Sequence, residues 1–166
     1  MGDPRDSNEA VVIERIFNAP VKDVWQLWTD PDHFASWYGP EGATIPVAKM
    51  DVRVGGARLV GMEVQTPNGT RRMWFAGEYR EVVPPRRLVY TESMSDEDGR
   101  ILSPTELGMP EGHPLVTEVS VDLEDHDGGT RMVLTHLGIP AGSPGEAGWI
   151  MALGKLVALI EARNPV

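Results

Sequence analysis

The sequence contains no cysteine, which excludes disulfide frameworks, thiolate zinc sites and cysteine nucleophiles together. Histidine is scarce, at four residues. No run approaches the about 18 apolar residues of a membrane span. The opening Met1-Gly2-Asp3-Pro4-Arg5-Asp6 has no apolar stretch behind its charges and does not read as a signal peptide. A cytoplasmic protein is the expectation. A basic excess is also missing, since 15 Lys+Arg stand against 25 Asp+Glu for a formal net charge of −10. Without a basic stripe to offset phosphate repulsion, nucleic-acid binding is disfavoured. No Gly-x-Ser-x-Gly nucleophile elbow occurs. Gly55-Gly56 leads into a strand, so no helix N-terminus follows it to hold phosphate.

What remains is a chain of 166 residues, 41% hydrophobic. That length suits one domain burying roughly 70% of its unfolded surface without staples. The negative charge is concentrated. Between Glu92 and Asp127 lie eleven acids and one base, Arg100, which gives 1 − 11 = −10; the remainder holds 14 of each and cancels. Arg71-Arg72 and Arg86-Arg87 read as solvated strand ends.

Residues 1–10 are polar and aperiodic and read as a flexible tail, with one domain over 11–163. Val11–Phe17 is a β-branched strand ending at Asn18-Ala19-Pro20. Val24, Trp25, Leu27 and Trp28 recur at helical spacing, and Asp30-Pro31 starts a second short helix carrying Phe34 and Trp37 before Gly39-Pro40. A β meander follows. Its strands are Thr44–Asp51, Arg58–Gln65 with Val60, Met62 and Val64 on one face, Arg72–Val82 with Met73, Phe75, Gly77 and Tyr79 on one face, and Leu88–Met94. Pro67-Asn68-Gly69 is a hairpin turn in which Asn and Gly tolerate positive φ. After a long polar connection from Ser95 to Pro114, Leu115–Leu123 alternates cleanly and pairs through Asp127-Gly128-Gly129 with Thr130–Leu137. Trp149, Leu153, Leu156 and Ile160 make one stripe on a helix over about Pro144 to Arg163. Gly145, Gly148 and Gly154 weaken that helix by up to ~1 kcal/mol each, so it must be stabilised by docking across the sheet.

Asp96-Glu97-Asp98-Gly99 fails the calcium-loop pattern, because Met94 and Thr105 stand where acids are needed. It reads as a solvated loop, and Asp125-His126-Asp127 as a surface turn. No metal site and no cofactor are expected. On the last strand, Thr130, Met132, Leu134 and His136 share a face; burying Arg131 on the other would be costly, so His136 points inward. Leu88, Tyr90, Glu92 and Met94 share a face likewise, and if it is inward Glu92 is a buried carboxylate.

Several stretches together resemble the START-like (SRPBCC) superfamily, and within it relatives of the activator of the heat-shock protein 90 ATPase. They are Ala19-Pro20…Val24-Trp25…Trp28-Thr29-Asp30-Pro31…Trp37…Gly39-Pro40, Asp51-Val52-Arg53-Val54-Gly55-Gly56, Gly77–Pro85, Arg87–Thr91, Ser95–Gly99, Gly128–His136 and Gly148-Trp149…Leu153…Leu156, all in order. The resemblance implies an α+β helix-grip fold: a curved antiparallel sheet of about six strands wrapped around a long C-terminal helix, with two short helices after the first strand. It implies a cavity between sheet and helix. It carries no catalytic motif, and the chain has room only for the C-terminal type of domain of that two-domain co-chaperone.

The expected function is binding of a small, largely apolar molecule, with Trp37, Met62, Phe75, Tyr79, Tyr90, Met94, His136, Trp149 and Leu153 as cavity candidates. Tyr90 and His136 are the candidate polar anchors. A cyclase or hydrolase using the cavity is the alternative, needing His136 with Tyr90 or Glu92 as an acid–base pair. A second alternative is a co-chaperone-like domain linked to the stress response, whose acidic segment meets a basic chaperone partner. Homodimerisation is compatible with the sequence, which does not fix it.

Overall fold

The computed structural model describes residues 9–103, 105–106 and 115–163. Most of the expected N-terminal tail, Glu111 and the end of the long polar connection lie outside the described residues. Seven strands and three helices follow in the order β1 (Ala10–Phe17), α1 (Val21–Thr29), α2 (Pro31–Ala35), β2 (Thr44–Met50), β3 (Ala57–Thr66), β4 (Gly69–Val83), β5 (Arg87–Ser95), β6 (Thr117–His126), β7 (Gly129–Leu137) and α3 (Pro144–Arg163). The strands form one antiparallel sheet in the order β1-β7-β6-β5-β4-β3-β2. This curved open sheet with a C-terminal helix is the expected helix-grip α+β architecture, with seven strands where about six were expected.

Local chemistry sets the element boundaries. Asp30 caps α2 by accepting from the Asp32 and His33 amides, with Pro31 at the first helical position. In the β3–β4 turn, Thr66 pairs with Gly69, and positive φ falls on Gly69 (φ 114) and not on Asn68. In the β6–β7 turn, Asp127 (φ 48) and Gly128 (φ 84) both adopt it, the conformation a two-residue hairpin requires.

The strand parities hold. Thr130, Met132, Leu134 and His136 are all buried, as are Thr117, Val119, Val121 and Leu123 on β6. The α3 stripe of Trp149, Leu153, Leu156 and Ile160 is buried, joined by Ala152. Lys155 adds a polar tie from α3, donating to the carbonyls of Tyr38 and Pro40 at 3.3 and 3.2 Å. Docking thus offsets the low helical propensity of the α3 glycines.

The acidic stretch is divided by the fold. Arg87 pairs with Asp122, Arg86 with Asp125, and Arg131 with both Glu124 and Glu14. Arg86-Arg87 therefore face the acids of the neighbouring strand. Asp96 closes its own turn, accepting from the Asp98 and Arg100 amides and from the Arg100 side chain. Among the described residues there is no group of three or more His, Asp or Glu placed to hold a metal. No helix there is long and apolar enough to cross a membrane.

Gly77 allows β4 and β5 to approach. A Cβ on it would lie 1.8 Å from the Thr91 carbonyl oxygen, a backbone atom that cannot rotate away. Gly77→Ala is expected to lower stability by about 2–3 kcal/mol, measured by urea unfolding against the wild type.

Candidate functional site

A pocket of about 360 Å³ opens between the inner face of the sheet and the first half of α3. Its wall is apolar over most of its extent. Met62 comes from β3, Phe75 from β4, Met94 from β5, and Trp149 and Ala152 from α3. Gly145 and Gly148 put bare backbone on the helix side. Ser93 and Ser143 place hydroxyls on the wall, and four further polar side chains line it: Tyr38, Glu92, Thr117 and His136.

Those groups are joined into one directed chain. The Trp149 indole N–H, which can only donate, gives its proton to His136 Nδ1 at 2.9 Å. The neutral imidazole therefore carries its proton on Nε2, which lies 2.8 Å from Thr117 Oγ1 and donates to it. The Thr117 hydroxyl donates in turn to the Glu92 backbone carbonyl at 2.9 Å. Glu92 is itself held from two sides. Tyr38 Oη donates to Glu92 Oε2 at 3.2 Å, and Arg58 Nη1 stands 3.7 Å from the same oxygen.

Arg58 is the unexpected residue. Its side chain is 1% exposed, and Nε, Nη1 and Nη2 have no hydrogen-bond partner. Its charge is met by Glu92 and by two aromatic faces, with the guanidinium carbon 4.0 Å from the Tyr90 ring centroid and 4.9 Å from that of Phe34. The Tyr79 hydroxyl stands beside it, outside hydrogen-bonding geometry. In the β3–β4 register Arg58 lies opposite Gly77. Desolvation works against the Arg58 charge, but Tyr90, Tyr79 and Glu92 outweigh it and raise its pKa above the ordinary arginine value. Burial raises the tyrosines too: Tyr38 well above its ordinary value, with Glu92 adding to the rise, and Tyr79 and Tyr90 likewise by desolvation. All three stay neutral phenols at physiological pH.

Of the nine cavity candidates, Met62, Phe75, Met94, His136 and Trp149 stand on the pocket wall, and Trp37, Tyr79, Tyr90 and Leu153 do not. Trp37 is wholly buried in an aromatic cluster with Trp28 and Phe34, its indole N–H donating to the Leu27 carbonyl at 2.9 Å. Tyr79 and Tyr90 pack edge to face with each other and enclose Arg58. Leu153 is fully buried core. Of the two expected polar anchors, Tyr90 lies off the wall, and His136 lines it with both nitrogens engaged within the protein. Glu92, whose inward face was conditional in the sequence, is buried and lines the pocket.

Tyr38 and Thr117 on the wall, and Arg58 behind it, were not among the cavity candidates. Arg58 carried a usable signal, since it has the same parity as Val60, Met62 and Val64 and so had to point inward. Thr117 stood on the inward face of its strand. For Tyr38, next to Gly39-Pro40, no periodicity existed to place it.

An interior pocket clasped between a curved sheet and its C-terminal helix defines a START-like, helix-grip protein. The chain belongs to the family described as Activator of Hsp90 ATPase homolog 1-like protein, which matches residues 18–161. Its solved structural neighbours include a protein from Chromobacterium violaceum (28% identity, TM-score 0.74, covering 92% of this chain and 97% of that one). An AHSA1-like protein from Aeromonas hydrophila is similar at 25% identity and TM-score 0.67, with 93% of each chain covered. A third, from Silicibacter pomeroyi, shares the fold at 23% identity and TM-score 0.71, covering 93% of this chain and 99% of that one. No curated protein matches the chain.

Two measurements test this geometry. His136 lies below its ordinary pKa of 6.5, chiefly through desolvation. The unfolded chain then binds a proton near that pH which the folded chain does not, so stability is full above it and declines as pH falls below about 6.5. Melting curves between about pH 8 and 5 should show that decline, and His136→Gln should lose this part of it. Arg58→Met alone should cost about 3–5 kcal/mol by leaving Glu92 without its counter-charge. Arg58→Met/Glu92→Met should recover most of that loss in urea unfolding.

Proposed function

We propose that the protein binds a small, largely apolar molecule in the pocket between the sheet and α3, in a carrier or sequestering role without chemistry. The observation that carries this reading is an open pocket of about 360 Å³ whose wall is mostly Met, aromatic and aliphatic side chains. Methionine supports such a role because its flexible, polarizable side chain adapts to an occupant's shape. An occupant burying roughly 300 Å² of apolar surface gains about 7 kcal/mol. Association costs of several kcal/mol reduce this to weak binding unless a polar contact contributes.

The enzymatic alternative needs two titratable groups converging with a free lone pair and a free proton. His136 has neither to offer, since its lone pair accepts from Trp149 and its proton goes to Thr117. Tyr90 lies off the wall, against Arg58. The interaction alternative loses support from the arginines of neighbouring strands, which already pair with Asp122, Glu124 and Asp125.

Native mass spectrometry of the purified protein, with a thermal-shift screen of apolar compounds, tests the reading; a co-purifying mass or ligand-induced stabilisation is expected. Gly148 offers a sharper test, because a Cβ there meets nothing within 4 Å and the residue lines the pocket. Gly148→Ala should raise helix stability by up to about 1 kcal/mol and keep binding of the uncharged dye Nile red. Gly148→Leu should fold equally well and weaken Nile red binding at least tenfold. Equal affinity in all three proteins would place the dye elsewhere.

A further inference from the structure

The polar wall of the pocket has the Tyr38, Thr117, His136 and Trp149 protons engaged and a carboxylate acceptor left over, with the Ser93 hydroxyl also on the lining. Trp149 N–H is directed at His136, the His136 Nε2–H at Thr117, and the Thr117 hydroxyl at the Glu92 carbonyl. The Tyr38 hydroxyl proton is directed at Glu92 Oε2. Each of these groups has one proton to give. Arg58 has unengaged protons, but it is sealed behind Glu92 by the Tyr90 and Phe34 faces and does not reach the wall. On the acceptor side, Glu92 Oε1 has no partner among the described residues while the residue lines the pocket. The remaining lone pair of Tyr38 Oη lies beside it.

We propose, building on the pocket-binding reading above, that the occupant is an apolar molecule bearing a neutral hydrogen-bond donor, a hydroxyl or phenol, seated on Glu92 Oε1. A carboxylate or phosphate head would face the Glu92 charge, and the protons of Tyr38, Thr117, His136 and Trp149 are already given within the protein, which leaves Ser93 as the hydroxyl beside them able to donate. An uncharged donor forms a charge-assisted hydrogen bond, about twice as strong as a neutral one. The Arg58–Glu92 pair is neutral in sum, so no net charge on the occupant is needed to balance it. The amphiphile therefore enters with its donor head innermost and its apolar body against Met62, Phe75 and Met94. Donors also occur around the start of α3, where Ser143 just before the helix and Gly145 in its first turn line the pocket and are partly exposed, so the carboxylate and these donors give the occupant a direction.

The test is calorimetric titration of the full chain with three matched probes: para-hexylphenol, para-hexylanisole and para-hexylbenzoate. The phenol is expected to bind at least tenfold tighter than the anisole, which lacks the donor, with the benzoate weakest. In Arg58→Met/Glu92→Met, which removes the acceptor without stranding a charge, the phenol and anisole affinities should come within twofold of each other. If that variant does not fold, the wild-type series decides alone. Equal affinity for phenol and anisole, or tightest binding of the benzoate, overturns the proposal. So does failure of all three probes. Nile red separates the two levels: if it still binds, the pocket reading survives without the donor rule, and if it does not, the pocket reading falls too.

Discussion

A single buried guanidinium governs the arrangement of this interior. Removing an arginine from water is costly unless its charge is met, and Arg58 is 2% exposed on a strand that faces the core. Three elements supply what it needs. β5 brings Glu92 and the Tyr90 face, α2 brings the Phe34 face, and β4 brings Tyr79 beside it. The short helices after β1 are thus fixed against the sheet by electrostatics as well as by the packing of Trp28, Phe34 and Trp37. Tyr38, stacked on Phe34 at 4.5 Å, completes the enclosure by donating to Glu92.

The second organising feature is the direction of the hydrogen-bond chain that begins at Trp149. Because an indole can only donate, it fixes the tautomer of His136, and each later group then has one role available. The chain ties α3 to β7, β6 and β5 in turn, so the helix closing the pocket is coupled to the strand carrying its acceptor. It engages both His136 nitrogens with protein groups. A buried histidine facing a pocket invites a catalytic interpretation; here both of its nitrogens serve the structure.

Most of the fold was legible in the sequence. Two-residue alternation placed His136, Thr117 and the inward face of β6, and the spacing of Trp149, Leu153, Leu156 and Ile160 identified the docked helix face. The turns were visible in their Asp, Asn and Gly residues. The site was half legible. Met62, Phe75 and Met94 followed from parity, whereas Trp37 and Leu153 have inward parity too and lie off the wall. Facing inward and lining a pocket are different properties, because parity says which side of a strand a residue occupies and not how deep the packing runs there. Tyr79 and Tyr90 show this most clearly, turned inward and packed against each other beside Arg58, off the pocket wall.

The charge pattern divides along the same line. The sequence alone determined a net charge of −10, its concentration between Glu92 and Asp127, and the absence of cysteine chemistry, since these depend only on composition and order. It also determined strand faces and helix stripes, which depend on local periodicity. Which acids meet which arginines was decided by strand register, bringing Arg87 to Asp122 and Arg131 to Glu124 across 35 and 7 positions of chain. The meeting of Arg58 with Glu92, the tautomer of His136 and the acceptor left facing the pocket were decided by tertiary structure alone. Each depends on side chains from separate elements converging within hydrogen-bonding or ion-pairing distance, and no spacing along one strand or helix encodes that.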